Sequence, residues 1–85
     1  MKFEVMMEFD ESILPALHKS PKEFTEEIRL FAAAKWYELG FVSQERAAEI
    51  AGMNRPDFLM AISRIGVSPF QYSYEDVLRE VENVR

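Results

Sequence analysis

Ser43-Gln44-Glu45-Arg46-Ala47-Ala48-Glu49-Ile50-Ala51-Gly52-Met53-Asn54-Arg55-Pro56-Asp57-Phe58-Leu59-Met60-Ala61-Ile62-Ser63-Arg64-Ile65-Gly66 is the stretch whose reading decides the fold of this chain. It reads as two short helices about a tight turn. Ser43 is an N-cap ahead of a run of helix formers, because its hydroxyl accepts from a backbone N–H left free in the first turn. Gly52 falls where the first helix must stop and the chain must reverse, and a residue without a Cβ enters the left-handed region there without a clash. Asn54 is a second N-cap. Pro56 and Asp57 follow in the first turn of the second helix, where a missing N–H is harmless and a carboxylate meets the positive end of the helix dipole. Ala47, Ala48, Ile50 and Ala51 face the turn from one side; Met53, Phe58, Ala61 and Ile62 face it from the other. Small residues at Ala48 and Gly52 permit a close crossing. The pattern is a helix-turn-helix, a unit whose second helix can enter a DNA groove.

Working back toward the N-terminus, Ser20-Pro21-Lys22-Glu23 combines an N-cap, Pro at the first helical position and Glu at the third, a capping box. It predicts a long helix over 21–39, ended by Gly40. Phe24, Ile28, Phe31 and Leu39 make one stripe. Over residues 30–37 only Lys35 is polar, so the later half is expected to be buried on more than one side. In a chain this small the natural source of that burial is a second subunit, with Trp36 and Tyr37 as interface or core anchors. Residues 10–19 hold Ile13, Leu14 and Leu17 around Pro15 and read as one helical turn. Residues 2–9 alternate: Phe3, Val5, Met7 and Phe9 point one way, Lys2, Glu4, Met6 and Glu8 the other. That predicts a half-buried strand. A lone strand leaves its backbone groups unpaired, and pairing with the same strand of a second copy is the expected remedy. Its outward face, carrying Glu4 and Glu8, does not suit phosphates. The strand is therefore read as a dimerisation element, with Phe3, Val5, Met7, Phe9, Trp36 and Tyr37 at the interface.

Toward the C-terminus, residues 67–72 read as an extended connection. Ser73 caps a last helix over 73–84, with Asp76 completing another capping box. Tyr74, Val77, Leu78, Val81 and Val84 lie on one face; Glu75, Arg79, Glu80 and Glu82 lie on the other. This helix either packs back on the domain or docks in a partner's groove. The expected fold is thus a single, mainly α domain. It has a short N-terminal strand over 1–9, a long helix over 21–39, a helix-turn-helix over 43–66 and a C-terminal helix over 73–84.

Composition narrows the function. At 48% hydrophobic, with seven Phe, three Tyr and one Trp, the sequence folds rather than staying disordered. The absence of cysteine excludes disulfides, thiolate zinc sites and cysteine nucleophiles, and agrees with a reducing cytoplasm. Charge alternates with apolar residues directly after Met1 and Lys2, unlike a signal peptide, and the apolar run at residues 30–34 is far too short to cross a bilayer. The expectation is a cytoplasmic protein with no membrane partner. The net charge of −5 works against nucleic-acid binding, which draws on Lys and Arg at phosphates. Its distribution softens this: residues 40–66 balance Arg46, Arg55 and Arg64 against Glu45, Glu49 and Asp57, whereas both flanks are acidic.

No residue set looks catalytic. His18, the one histidine, stands in an exposed connection and reads as a surface residue. Glu23, Glu26 and Glu27 share one helix end; they read as residues favouring a helix N-terminus, since a carboxylate metal site needs ligands from another element. The three glycines are scattered helix stops, not a phosphate loop, and no serine sits in a nucleophile context. Neither an enzyme nor a cofactor or metal is expected.

The second helix of the turn is where DNA contact would fall. Asn54 and Arg55 stand at its N-terminal end, with chemistry suited to adenine and guanine edges. Arg46 and Arg64 would hold phosphates, and Gln44 and Ser63 would add hydrogen bonds. Leu59 and Met60 are adjacent and cannot both face a core, so at least one is exposed or meets protein. An adaptor domain whose helix-turn-helix contacts only protein is the alternative.

Residues 47–53, Ala-Ala-Glu-Ile-Ala-Gly-Met, carry a resemblance, joined by the Asn54 cap, Phe58-Leu59, the exit Val67-Ser68-Pro69 and the closing Tyr74-Glu75-Asp76-Val77-Leu78. With these residues the chain resembles a group of small uncharacterised prokaryotic helix-turn-helix proteins that look like VapB-like antitoxins paired with PIN-domain ribonuclease toxins. The likeness covers most of the chain. It implies a dual role: repression of its own operon through the helix-turn-helix, and masking of a toxin by the C-terminal segment. The residues it implies for the toxin are Tyr74, Val77, Leu78, Arg79, Val81 and Arg85, with Arg79 and Arg85 as cations for an acidic, metal-binding cleft.

Overall fold

The computed structural model describes residues 1–69. The helix expected over 73–84 lies outside the described residues, and so do Tyr74, Val77, Leu78, Arg79, Val81 and Arg85. Among the described residues there are four helices: α1 (Ile13–Leu17), α2 (Pro21–Glu38), α3 (Gln44–Ala51) and α4 (Arg55–Arg64).

Local chemistry accounts for their ends. At the start of α2 the Glu23 N–H donates to Ser20 Oγ at 3.2 Å and the Ser20 N–H donates to Glu23 Oε1 at 3.4 Å, which closes the capping box. Ser43 accepts from the Arg46 N–H at 3.2 Å, and Asn54 from the Asp57 N–H at 2.9 Å, so α3 and α4 begin where their caps require. All four helices end alike. The N–H groups of Lys19, Phe41, Met53 and Val67 reach back to the carbonyls of Leu14, Trp36, Ala48 and Ile62, each past a left-handed residue: His18, Gly40, Gly52 and Gly66. This double closure satisfies carbonyls that a helix end would leave free.

Helix α2 lies along α3, and α4 closes against both. Ala33 and Ala34 of α2 share the core with Ala47, Ala48 and Ala51 of α3, and these small residues let the two backbones approach. Phe58 and Ile62 of α4 are fully buried, each contributing about 1.5–3 kcal/mol of apolar burial. Leu30, Tyr37, Val42, Ile50, Leu59, Ile65 and Val67 pack round this centre.

One expectation changes here. Residues 1–9 carry no regular secondary structure, so the N-terminal strand is absent from the chain, and Phe3, Val5 and Met7 are exposed. Alternation defines two faces but supplies no partner ladder, and every other regular element among the described residues is a helix. Phe9 is held by packing instead, its ring edge against Phe24 with centroids 4.9 Å apart. Within the single chain the fully buried residues of α2 are Ala33 and Ala34. They face the core, while Phe31 and Trp36 are exposed. Tyr37, named with Trp36 as an interface or core anchor, packs inside the chain, its ring edge-on to Phe58 at 6.3 Å.

Candidate functional site

Of the expected contact residues, Gln44 and Arg55 meet at the N-terminal ends of α3 and α4. Gln44 is the first residue of α3 and Arg55 the first of α4. The Arg55 Nε–H donates to Gln44 Oε1 at 2.9 Å, although eleven residues separate the two. On its other side Gln44 Nε2 donates to the Pro69 carbonyl at 2.6 Å and to the Tyr37 hydroxyl at 2.9 Å; that hydroxyl in turn donates to the Pro69 carbonyl at 2.6 Å. One amide therefore ties α2, α3, α4 and the exit strap together. Glu45 Oε1 stands 3.9 Å from Arg55 Nη1, a loose ion pair between exposed side chains.

The remaining expected residues are distributed around this knot. Asn54 Oδ1 is committed to its cap, so a bidentate contact with adenine would have to share that oxygen. Arg46 pairs with Glu49 at 3.0 Å on the exposed face of α3. Ser63 Oγ donates back to the Leu59 carbonyl at 2.9 Å. Arg64 lines an open concavity of about 400 Å³ with Leu59, Met60, Ser63 and Pro69. Leu59 packs on the core and Met60 is 58% exposed, which resolves their adjacency.

Two participants, Arg29 and the Pro69 carbonyl, escaped the sequence reading, and Tyr37 was read only as an interface or core anchor. Arg29, on α2, donates from Nε to the Ile50 carbonyl at 2.9 Å, placing a cation at the negative end of α3. Its guanidinium lies 3.2 Å from where a Cβ on Gly52 would sit, so the turn glycine also makes room for it. No linear spacing points to these contacts, since 21 residues separate Arg29 from Ile50 and 32 separate Tyr37 from Pro69.

The resolved electrostatic shifts fall away from the knot. The backbone N–H of Ser12 holds the Asp10 carboxyl below the usual range, and Ser20, through its side chain and its N–H, does the same for Glu23. Glu27, 2.9 Å from Lys19, raises the Lys19 ammonium above its ordinary value. Of the three glutamates at this helix end, Glu23 is thus engaged by Ser20 and Glu27 by Lys19. No helix among the described residues is long and apolar enough to cross a membrane.

Comparison with known proteins gives relatives but no solved structure: none matches the chain. One protein of Aeropyrum pernix, described as a UPF0175 protein, is 35% identical over 66 residues, covering 78% of this chain and 73% of the relative. A second from the same organism is 40% identical over 55 residues, covering 65% and 70%. A UPF0175 protein of Archaeoglobus fulgidus is 35% identical over 63 residues, covering 74% and 71%. Residues 1–85 match the family described as "Uncharacterised protein family (UPF0175)", and the chain belongs to that family.

Proposed function

We propose that the chain is an antitoxin-type regulator. It acts as a homodimer, reads operator DNA with the N-terminal end of α4, and neutralises a PIN-type ribonuclease with the residues beyond α4. The observation that carries the DNA reading is Arg55. It is exposed, it stands at the first position of the second helix, and Gln44 occupies its Nε, so the terminal nitrogens, one of them 3.9 Å from the exposed Glu45 carboxylate, are the pair that would meet the O6 and N7 of a guanine. Arg46 and Arg64 supply phosphate contacts, and Asn54 and Ser63 complete the set. The homodimer is supported by Phe3, Val5 and Met7, whose exposed apolar side chains a second copy would cover. The ribonuclease partner rests on the resemblance of residues 47–53 and their flanks to antitoxins.

The test is binding to the DNA upstream of the protein's own reading frame. Affinity should fall steeply between low and moderate salt. It should fall about 5- to 100-fold on Arg55→Ala, the range of a lost bidentate base contact. No binding to any upstream fragment at low salt would remove the operator role. A PIN-type ribonuclease encoded next to the gene and co-purifying with the chain would support the second role.

One observation favours an adaptor domain instead. Met60, with Leu59 and Pro69, gives the outer side of α4 an apolar concavity, and the chain carries a net −5. Met60→Lys separates the readings: it should tighten DNA binding if α4 enters a groove, and abolish capture of a protein partner if the concavity is the docking site.

A further inference from the structure

We infer that Gln44 is the positioning residue for Arg55: it holds the guanidinium in its reading pose and makes no contact of its own with DNA. The inference deepens the DNA reading above and rests on it.

The geometry leaves the amide a single orientation. The Pro69 carbonyl can only accept, so the side of Gln44 that faces it at 2.6 Å must be Nε2. The Tyr37 hydroxyl spends its proton on the same carbonyl, so toward Gln44 it accepts, and Nε2 again is the donor at 2.9 Å. Arg55 Nε can only donate, and it meets Oε1 at 2.9 Å. Donor and acceptor assignments agree at every contact, which removes the usual ambiguity of an amide. Nε2 and Oε1 therefore both have partners inside the protein.

The chain of contacts runs inward to something rigid. Tyr37 rests edge-on against Phe58, and Phe58 is fully buried. From that core residue the order passes through the Tyr37 hydroxyl and the Gln44 amide to Arg55. Free arginine side chains sample many rotamers, and a base contact must remove that freedom. Here it is restricted before DNA arrives, and the bond at Nε leaves the two terminal nitrogens as the reading pair. The loose ion pair to Glu45, at 3.9 Å between exposed groups, cannot orient a guanidinium in this way.

Two measurements test this, one needing no DNA. In ¹⁵N-labelled protein the Arg55 Nε–H should give a resolved signal protected from solvent exchange. The isosteric Gln44→Met should collapse that protection, and Tyr37→Phe, which removes only the anchoring hydroxyl, should weaken it. An Arg55 signal unchanged by Gln44→Met overturns the inference, whether or not DNA is bound. The second is a double-mutant cycle on discrimination between the upstream site and a single-base variant. Gln44→Met should lower discrimination about tenfold in the native background and leave it unchanged in Arg55→Ala. The salt slope should not move, because no charge is lost. Equal losses in both backgrounds would mean that Gln44 touches DNA itself or acts through the fold at large, and would overturn the inference. Normal coupling in the first measurement with no DNA binding by the native protein would sink the operator reading and leave the Gln44–Arg55 pairing standing.

Discussion

At the scale of single residues, the turn between α3 and α4 is held by a pair that lies far apart in the chain. Gly52 adopts φ +73°, and Arg29 from α2 crosses over it to reach the Ile50 carbonyl. Gly52→Ala should destabilise the protein by about 1–2 kcal/mol through the left-handed backbone alone. It must also displace the guanidinium from its 3.2 Å approach. Combining it with Arg29→Ala should relieve the crowding and leave the backbone cost, so the two changes should be less than additive in chemical denaturation. His18 is the opposite case. It takes the same left-handed position at the end of α1, with φ +56°, but carries a Cβ. His18→Gly should therefore raise the thermal midpoint, by up to about 1 kcal/mol in stability.

At the scale of elements, each helix is specified by its two ends more than by its middle. The capping box of α2 shows this and gives it a pH dependence. Ser20 holds the Glu23 carboxyl below its ordinary range, so the stabilising contact is present above that range and is lost as pH falls through the depressed folded value. The thermal midpoint should accordingly drop as the solution is made acidic. Glu23→Gln, which can still complete the box but does not titrate, should remove that part of the drop. Ser20→Ala should cost about 1 kcal/mol at neutral pH. Lys19 has the reverse sign. Its ammonium is raised by Glu27, so that contribution is present below the ordinary lysine value and fades as pH climbs through the raised one.

At the scale of the whole molecule, the described residues expose much apolar surface. Phe3, Val5, Met6 and Met7 are exposed at the N-terminus, as are Phe31, Trp36, Leu39 and Phe41 on and just beyond α2. Among the described residues the core is small, built on five alanines with Phe58 and Ile62 as its large members. Chains of this size are often stabilised by association. Light scattering should therefore find a dimer whose midpoint rises with protein concentration. Val5→Asp should shift it toward monomer without unfolding α2–α4, since Val5 lies outside the core cluster. A monomer at high concentration would remove the homodimer from the proposal.

What the sequence by itself determined was local. Caps, stops and the crossing of small residues are chemistry within a few positions, and Ser20, Ser43, Gly40, Gly52 and Asn54 each act where their side chains, or lack of one, dictate. The helix-turn-helix was legible for that reason. The N-terminal alternation was equally clear, yet residues 1–9 form no strand, because a ladder needs a second edge and alternation cannot supply one. Only the tertiary structure decided which polar side chains stay available. Gln44 and Arg55 read as two independent contacts along the chain, and become a single hydrogen-bonded unit once α2 brings Tyr37 beside them and the exit strap brings the Pro69 carbonyl. Arg29 likewise has no role until packing sets it over the end of α3. Periodicity assigns faces within one element, whereas partners across 21 or 32 residues exist only after the helices are packed.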